Sequence, residues 1–392
     1  MLSYKYLIIG SGMTADAAIR GIRAIDQQGA IGMIGEESDP PYGRPPLSKG
    51  LWKGKPLDSV WRRTPEEALT LHLGHKVVSL NPAKRQVVDA QGQTYTGEKI
   101  LLATGGSPRR LPFGGADIIY YRTLADFKRL HEMTTQMDRF AVIGAGFIGS
   151  EIAAALAMNG KNVSLLFPEE GIGGLVYPPD LSEFLNEFFR KKGVKVAGSE
   201  LLTGVEKRQK EYILTTKSGR EFTAQAIVAG IGLLPNIELA KAAGLLTGDG
   251  IVVDKYLLTS KADIYAAGDV AEFYNPALRK RMRVEHEDNA NSMGLQAGRN
   301  MAGASEPYLH LPFFYSDLFE LGYEAVGELD PNSIVVADWK EPYQTGLLYY
   351  LKEGHVRGVL LWNVWKKIKA ARQLISEPGP FTAENLIGRL GY

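Results

Sequence analysis

Residues 140–151 read FAVIGAGFIGSE. Four apolar residues run into Gly144-Ala-Gly146-Phe-Ile-Gly149, and an alanine-rich, helix-favouring stretch follows. This is the pattern of a strand, a tight turn and a helix. Gly144 permits the turn, Gly146 lets backbone approach a pyrophosphate, and Gly149 lets the helix pack close to the strand, with Phe147 and Ile148 between them. The N–H groups at the helix start face the anion. One such motif is weak evidence, but this chain carries a second. Leu7-Ile-Ile-Gly10-Ser-Gly12-Met-Thr-Ala15 has the same form, with Ala15 in the tolerant third position. Two dinucleotide sites on one chain imply two cofactors that exchange electrons.

The first motif opens a βαβ unit, with strands expected over 4–10 and 30–34 and a helix over 15–25. Glu36 follows, about 20 residues beyond the glycine turn, where an acid accepts adenosine ribose hydroxyls. Glu37 adjoins it and can share that role. Prolines stiffen the loop at 40–49, which places Arg44 and Lys49 rigidly. The alternation over 76–88, which includes Val77, predicts strands. Residues 99–103, KILLA, read as a buried strand whose end, Ala103-Thr104-Gly105, lies at the cofactor. Arg122 precedes an expected helix. A second βαβ unit covers 140–167, and 222–232 reads as one strand ending at Gly232. A short strand over 264–266 leads to Gly268-Asp269, where Asp269 is expected to bond a ribityl chain and to begin a helix. Beyond about residue 310, alternating segments at 323–328, 334–339, 347–352 and 356–361, then helices at 364–375 and 383–390, predict an antiparallel third domain.

Composition narrows the function. The 392 residues suit two or three domains. With a net charge of +1, bulk electrostatics favour neither nucleic acid nor an anionic membrane. The one strong basic run, residues 279–283, reads as a solvated turn or as a docking patch for an acidic redox partner. No apolar run reaches the ~18–20 residues that span a bilayer, and the chain enters its first strand at once, so a cytoplasmic location is the expectation. There is no cysteine. That excludes disulfides, thiolate metal sites and electron transfer through a cysteine pair, so electrons leave a bound flavin directly for substrate or partner.

The order of glycine turn, RPPLSK, ATG, second glycine turn, GD and VEH resembles the two-dinucleotide-domain flavoprotein reductases of ferredoxins, rubredoxins and putidaredoxin. It is closer still to apoptosis-inducing factor and its bacterial relatives. The carriers are Pro41-Tyr-Gly-Arg-Pro-Pro-Leu-Ser-Lys49, Gly146-Phe-Ile-Gly-Ser-Glu151, Leu166-Phe-Pro-Glu169, Val284-Glu-His286, Tyr315-Ser-Asp317, Gly322-Tyr-Glu-Ala-Val-Gly327 and Leu361-Trp-Asn-Val364. The resemblance implies an α/β fold with two Rossmann-like, glutathione-reductase-like domains and an α+β C-terminal domain. FAD would occupy residues 1–111 and 236–308, NAD residues 112–235, and the third domain residues 309–392. By resemblance, Glu36, Glu37, Arg44, Lys49, Val77, Arg122, Asp269 and His286 contact FAD. Phe147, Glu169, Gly232, Glu285, Glu324 and Asn363 line the nicotinamide nucleotide site. Tyr315 stands where apoptosis-inducing factor has a tryptophan near the flavin, and Leu175 where it has a lysine holding the nucleotide. The family's long C-terminal insertion and mitochondrial targeting region are missing, which sets a role in cell death in doubt.

The expected chemistry is hydride transfer from NADH to FAD. Phe147 is expected to stack on the nicotinamide side of the flavin as a gate. Lys49 and Glu151 are expected to pair near flavin N5, and His286 to border the pyrimidine ring. Phe167, not an acid, holds the ribose-reading position after the strand at 162–166. Glu169 can accept from a 2′-hydroxyl and repels a 2′-phosphate, so NADH is expected over NADPH. Electrons would pass to a small carrier protein or a quinone. The alternative is a redox sensor, with a reduced flavin–NAD charge-transfer complex and redox-dependent homodimerisation as its output.

Overall fold

The computed structural model describes residues 1–392, which form two compact units. The first comprises Met1–Arg44, Leu57–Ser107 and Leu234–Pro312; the second comprises Pro45–Pro56, Pro108–Leu233 and Phe313–Tyr392.

In the first unit, the apolar strand Leu2–Ile9 lies between Ile31–Gly35 and Thr94–Leu102, parallel to both. Its inner residues, Leu7 and Ile8, are fully buried, as a parallel strand covered on both faces requires. Ile264–Ala266 adds to the far side of Thr94–Leu102, pairing Ile264 with Ile100. Leu69–Leu73 extends the other edge beside Ile31–Gly35. The Met13–Arg23 and Glu287–Met301 helices touch backbone to backbone. A Cβ on Gly298 would lie 2.0 Å from the Ala18 carbonyl oxygen, and one on Gly21 would lie 2.1 Å from that of Leu295.

The second unit holds a parallel sheet in the order Lys195–Ala197, Asn162–Leu166, Arg139–Ile143, Ala226–Ala229, Ile118–Tyr120. A separate antiparallel sheet of Phe313–Leu318, Leu321–Gly327, His355–Trp362, Thr345–Lys352 and Ile334–Glu341 forms its C-terminal part. The Pro45–Pro56 segment belongs here through two 3₁₀ turns and buried Trp52. The Trp52 indole packs edge-on against Phe127 at 5.6 Å and donates to the Leu47 carbonyl, which also accepts from the Tyr121 hydroxyl.

Several expected elements change. The strand expected over 222–232 is two strands in different sheets, Glu221–Ala224 in an antiparallel hairpin and Ala226–Ala229 in the parallel sheet. They part at Gln225, whose side-chain oxygen accepts from the Asp138 and Arg139 amides. Asp269 begins no helix: Gly268–Val270 is a 3₁₀ turn leading into the strand Ala271–Asn275, where alternate residues are buried. The C-terminal helices are shorter than expected, Ile368–Ser376 and Ala383–Leu386. Leu69–Leu73 and Phe313–Leu318 are strands with no counterpart in the sequence reading. The helix expected after Arg122 forms as Leu124–Thr134, with Thr123 and Asp126 closing a capping box.

The glycines of the first motif differ in the space around them. Gly10 has φ +122 and a Cβ there would lie 2.2 Å from the Ala103 carbonyl oxygen, whereas Gly12 has nothing within 4 Å. Gly10→Ala is therefore expected to cost about 2 kcal/mol or more in urea unfolding, and Gly12→Ala less than about 1 kcal/mol. Equal losses would refute this reading of the turn.

Candidate cofactor sites

Each glycine motif folds as a strand end, a turn and a helix start. In the first unit Gly12 occupies the N-cap of the Met13–Arg23 helix, and Ala15 is fully buried beneath it. The chain leaves the Ile31–Gly35 strand into Glu36 and Glu37. Glu37 accepts from Arg44 Nη2 and the Tyr42 hydroxyl, each at 2.5 Å, one on each oxygen. Glu36 pairs at 2.9 Å with exposed Lys76, beside half-buried Val77. Glu36 is thus the more exposed of the two acids, while Glu37 holds Arg44 in place.

Ala103, Thr104 and Gly105 follow the strand that ends beside Gly10. Asn236 clamps them: its Nδ2 donates to the Thr104 carbonyl at 2.8 Å, and its backbone amide donates to that of Gly105 at 3.0 Å. Gly268 has φ +78 and a Cβ there would lie 2.2 Å from Thr14 Oγ1, so Asp269 starts from the first turn of the glycine-motif helix. Arg283 donates to the Asp269 carbonyl and to the Glu285 carboxylate, and pairs with Asp249. Its neighbour Arg281 donates to the Val253 and Glu272 carbonyls. These two arginines of the basic run at 279–283 serve the fold. His286 occupies the N-cap of the Glu287–Met301 helix.

In the second unit a Cβ on Gly144 would lie 2.5 Å from the Gly230 carbonyl oxygen, and one on Gly149 would lie 1.8 Å from that of Gly144. Gly146 has nothing within 4 Å. Phe147 is the first residue of the Phe147–Met158 helix, half-buried, its ring edge-on to Phe314 at 5.2 Å; Ile148 is exposed. Phe167 is fully buried and cannot read a ribose, which leaves half-buried Glu169 as the nearest acid. Gly232, at φ +98, accepts from the Arg109 amide. The Arg122 amide donates to Asp126. The open space at Gly12 and at Gly146, each at a helix start, is the room a dinucleotide pyrophosphate needs, and the residues present fit such a ligand.

Lys49 and Glu151 form an ion pair, Nζ to Oε1 at 2.7 Å, with Glu151 almost wholly buried. Lys49 also lies 5.1 Å from the centre of the Tyr315 ring. The sequence reading missed two further donors to Glu151: Ser48 and Ser316. Both sit inside motifs quoted above, PLSK and YSD, but neither motif marks a hydroxyl aimed at a carboxylate. Asn363, at φ +49, uses its side chain locally. Its oxygen accepts from the Gly322 amide, and its Nδ2 donates to the Gln344 carbonyl. Glu324 differs: its Oε2 is buried with no hydrogen-bond partner.

Residues 4–294 match the family model described as pyridine nucleotide-disulphide oxidoreductase. The chain belongs to this family. Residues 297–340 and 331–377 match the C-terminal domain model of mitochondrion-associated apoptosis-inducing factor. This oxidoreductase is 34% identical over 417 residues to mitochondrial apoptosis-inducing factor 1 of Dictyostelium discoideum, covering 95% of this chain and 78% of that protein. It is 30% identical over 396 residues to putidaredoxin reductase of Pseudomonas putida, covering 97% and 94%. The crystal structure of a covalent putidaredoxin reductase–putidaredoxin complex superposes with a TM-score of 0.91 at 28% identity, covering 100% of this chain and 96% of that one. The two-dinucleotide-domain α/β fold is thereby established. With no cysteine, this member has no means of disulphide exchange. No helix is long and apolar enough to cross a membrane.

Burial pushes the Glu324 carboxyl up from its ordinary 4.5. The folded state then binds this proton more tightly than the unfolded state. The ionised form therefore weighs against folding as pH rises above 4.5. Glu324→Gln is expected to raise the urea midpoint at pH 8, with the gain vanishing at about pH 4. A gain that is the same at both pH values would show that the orphaned oxygen is not the cause.

Proposed function

We propose that this oxidoreductase uses NADH to reduce a bound FAD and hands the electrons to a small one-electron carrier protein of the ferredoxin or rubredoxin kind. One observation carries the reading. Two glycine turns each leave open space above the middle glycine at a helix start, on a chain with no cysteine. Relatives named putidaredoxin reductase and rubredoxin-NAD(+) reductase support it. When bound, the nicotinamide supplies a hydride and the flavin accepts it and can release electrons singly.

The chain's own part is binding, orientation and electrostatics. In this proposal the backbone at Gly12 and the Met13–Arg23 helix hold the FAD pyrophosphate, and Glu36 accepts from its ribose. Arg44, Val77, Asp269 and His286 complete that site, within residues 1–111 and 236–308. Gly146 and the Phe147–Met158 helix hold the NADH pyrophosphate within residues 112–235. Glu324 offers its unpartnered oxygen to the nicotinamide side, with Gly232 and Asn363 as walls, and residues 309–392 form the third domain. Lys49 sets a cation where reduction adds negative charge. Glu169 accepts from the adenosine 2′-hydroxyl and would repel a 2′-phosphate, which makes NADH the donor.

Anaerobic stopped-flow tests the proposal. NADH is expected to bleach the flavin spectrum rapidly, and an added ferredoxin or rubredoxin to restore it rapidly. Slow bleaching, an air-stable long-wavelength band and NADH-dependent dimerisation on gel filtration would support the redox-sensing alternative instead. Protein purified without flavin would overturn both. Gly12→Ala is expected to stay folded while losing flavin. Glu169→Ala is expected to narrow the NADH-over-NADPH preference on the order of tenfold, the worth of one hydrogen bond to a charged group; an unchanged ratio would remove Glu169 from that role.

A further inference from the structure

Three donors reach Glu151 from two stretches of chain. Lys49 Nζ and Ser316 Oγ donate to Oε1 at 2.7 and 2.5 Å, and Ser48 Oγ donates to Oε2 at 2.6 Å. Ser48 and Lys49 are adjacent, so one turn delivers a hydroxyl to one oxygen and an ammonium to the other. Ser316 arrives from the Phe313–Leu318 strand, while Glu151 itself sits on the Phe147–Met158 helix. Ser48, Ser316 and Glu151 are 6%, 1% and 2% exposed, so water does not stand in for a lost donor.

A buried carboxylate with a single ammonium partner forms a tight pair in which most of the cation's field is spent on the anion. Further donors change that balance. Each hydroxyl takes up lone-pair capacity and fixes the carboxylate's orientation. Tyr121, Tyr177 and Tyr323 also feel the Glu151 charge, but burial pushes all three phenols far up, so they stay neutral. Lys49 is the one cation paired with Glu151, and the two serine hydroxyls are its competitors.

We propose that Ser48 and Ser316 are positioning residues for flavin reduction: by sharing Glu151 with Lys49, they hold the carboxylate in one orientation and leave part of the Lys49 charge to act on the group being reduced. This rests on the flavin reading above. The plainer alternative is that the serines only satisfy a buried acid. Their removal would then cost stability without moving the flavin's reduction potential.

The test is the two-electron midpoint potential of the FAD-loaded protein, measured with a chemical reductant and reference dyes instead of NADH. Ser48→Ala and Ser316→Ala together are expected to lower it by about tenfold in the reduction equilibrium, about 30 mV for a two-electron couple. Each single variant is expected to fall between, with FAD content unchanged. Ser48→Thr and Ser316→Thr keep the hydroxyl and are expected to restore the wild-type potential. In a Glu151→Gln background the two alanine changes are expected to add nothing, since the route through Glu151 is gone. A wild-type potential in the folded double-alanine variant would overturn the proposal, as would the same shift persisting without Glu151. Because the reductant is not NADH, a failure of NADH to reduce the wild type would count against the proposed function alone.

Discussion

A carboxylate taken out of water costs several kcal/mol unless charge and hydrogen bonds replace its hydration. Glu151 obtains that replacement from Ser48, Lys49 and Ser316. The second unit is built around this requirement. The Pro45–Pro56 segment, the Phe147–Met158 helix and the Phe313–Leu318 strand must all be in place for the charge to be tolerated. Trp52 strengthens the first of these, since its indole donates to Leu47 while its carbonyl accepts from Asn159. The loop that its prolines stiffen is therefore also held by side-chain bonds to the rest of the unit.

The glycine turns work by the opposite principle, through what is left out. At Gly10, Gly144 and Gly149 backbone lies where a side chain would begin, and at Gly12 and Gly146 nothing does. Close approach locks strand to helix in the first group. The second group leaves polar backbone facing open space, which is costly to keep without a ligand and useful with one. The unpartnered Glu324 oxygen belongs with that second group.

The parts of the fold legible in the sequence were those with strong local signals. Both glycine motifs, the parallel strands beside them and the hairpin at Glu353 and Gly354 are written in glycine and in runs of apolar residues. Other parts had no such marker. Phe319 makes the turn after Phe313–Leu318 at φ +61 without glycine, so that hairpin gave no turn signal. Leu69–Leu73 is a partly exposed edge strand interrupted by His72. The division at Gln225 depends on side-chain bonds to residues 87 and 86 positions away. In the candidate sites the Lys49–Glu151 pair was foreseeable from the order of the motifs, but the serine hydroxyls were not. A serine beside a lysine says nothing about a carboxylate that lies 103 positions further along the chain.

The first sheet also sets an order of events. Its strand Thr94–Leu102 is flanked by Leu2–Ile9 on one side and by Ile264–Ala266 on the other, and the Met13–Arg23 helix packs on Glu287–Met301. A ribosome emits the amino-terminal strands long before their last partners. During that interval Ile100, Leu101 and the face of the Met13–Arg23 helix that packs on Glu287–Met301 have no lasting cover. The parallel sheet of the second unit, at 118–229, leaves the ribosome whole in the meantime. The parallel sheet of the first unit is thus completed after that of the second, and its nascent half is a stretch that needs protection from aggregation in the interval.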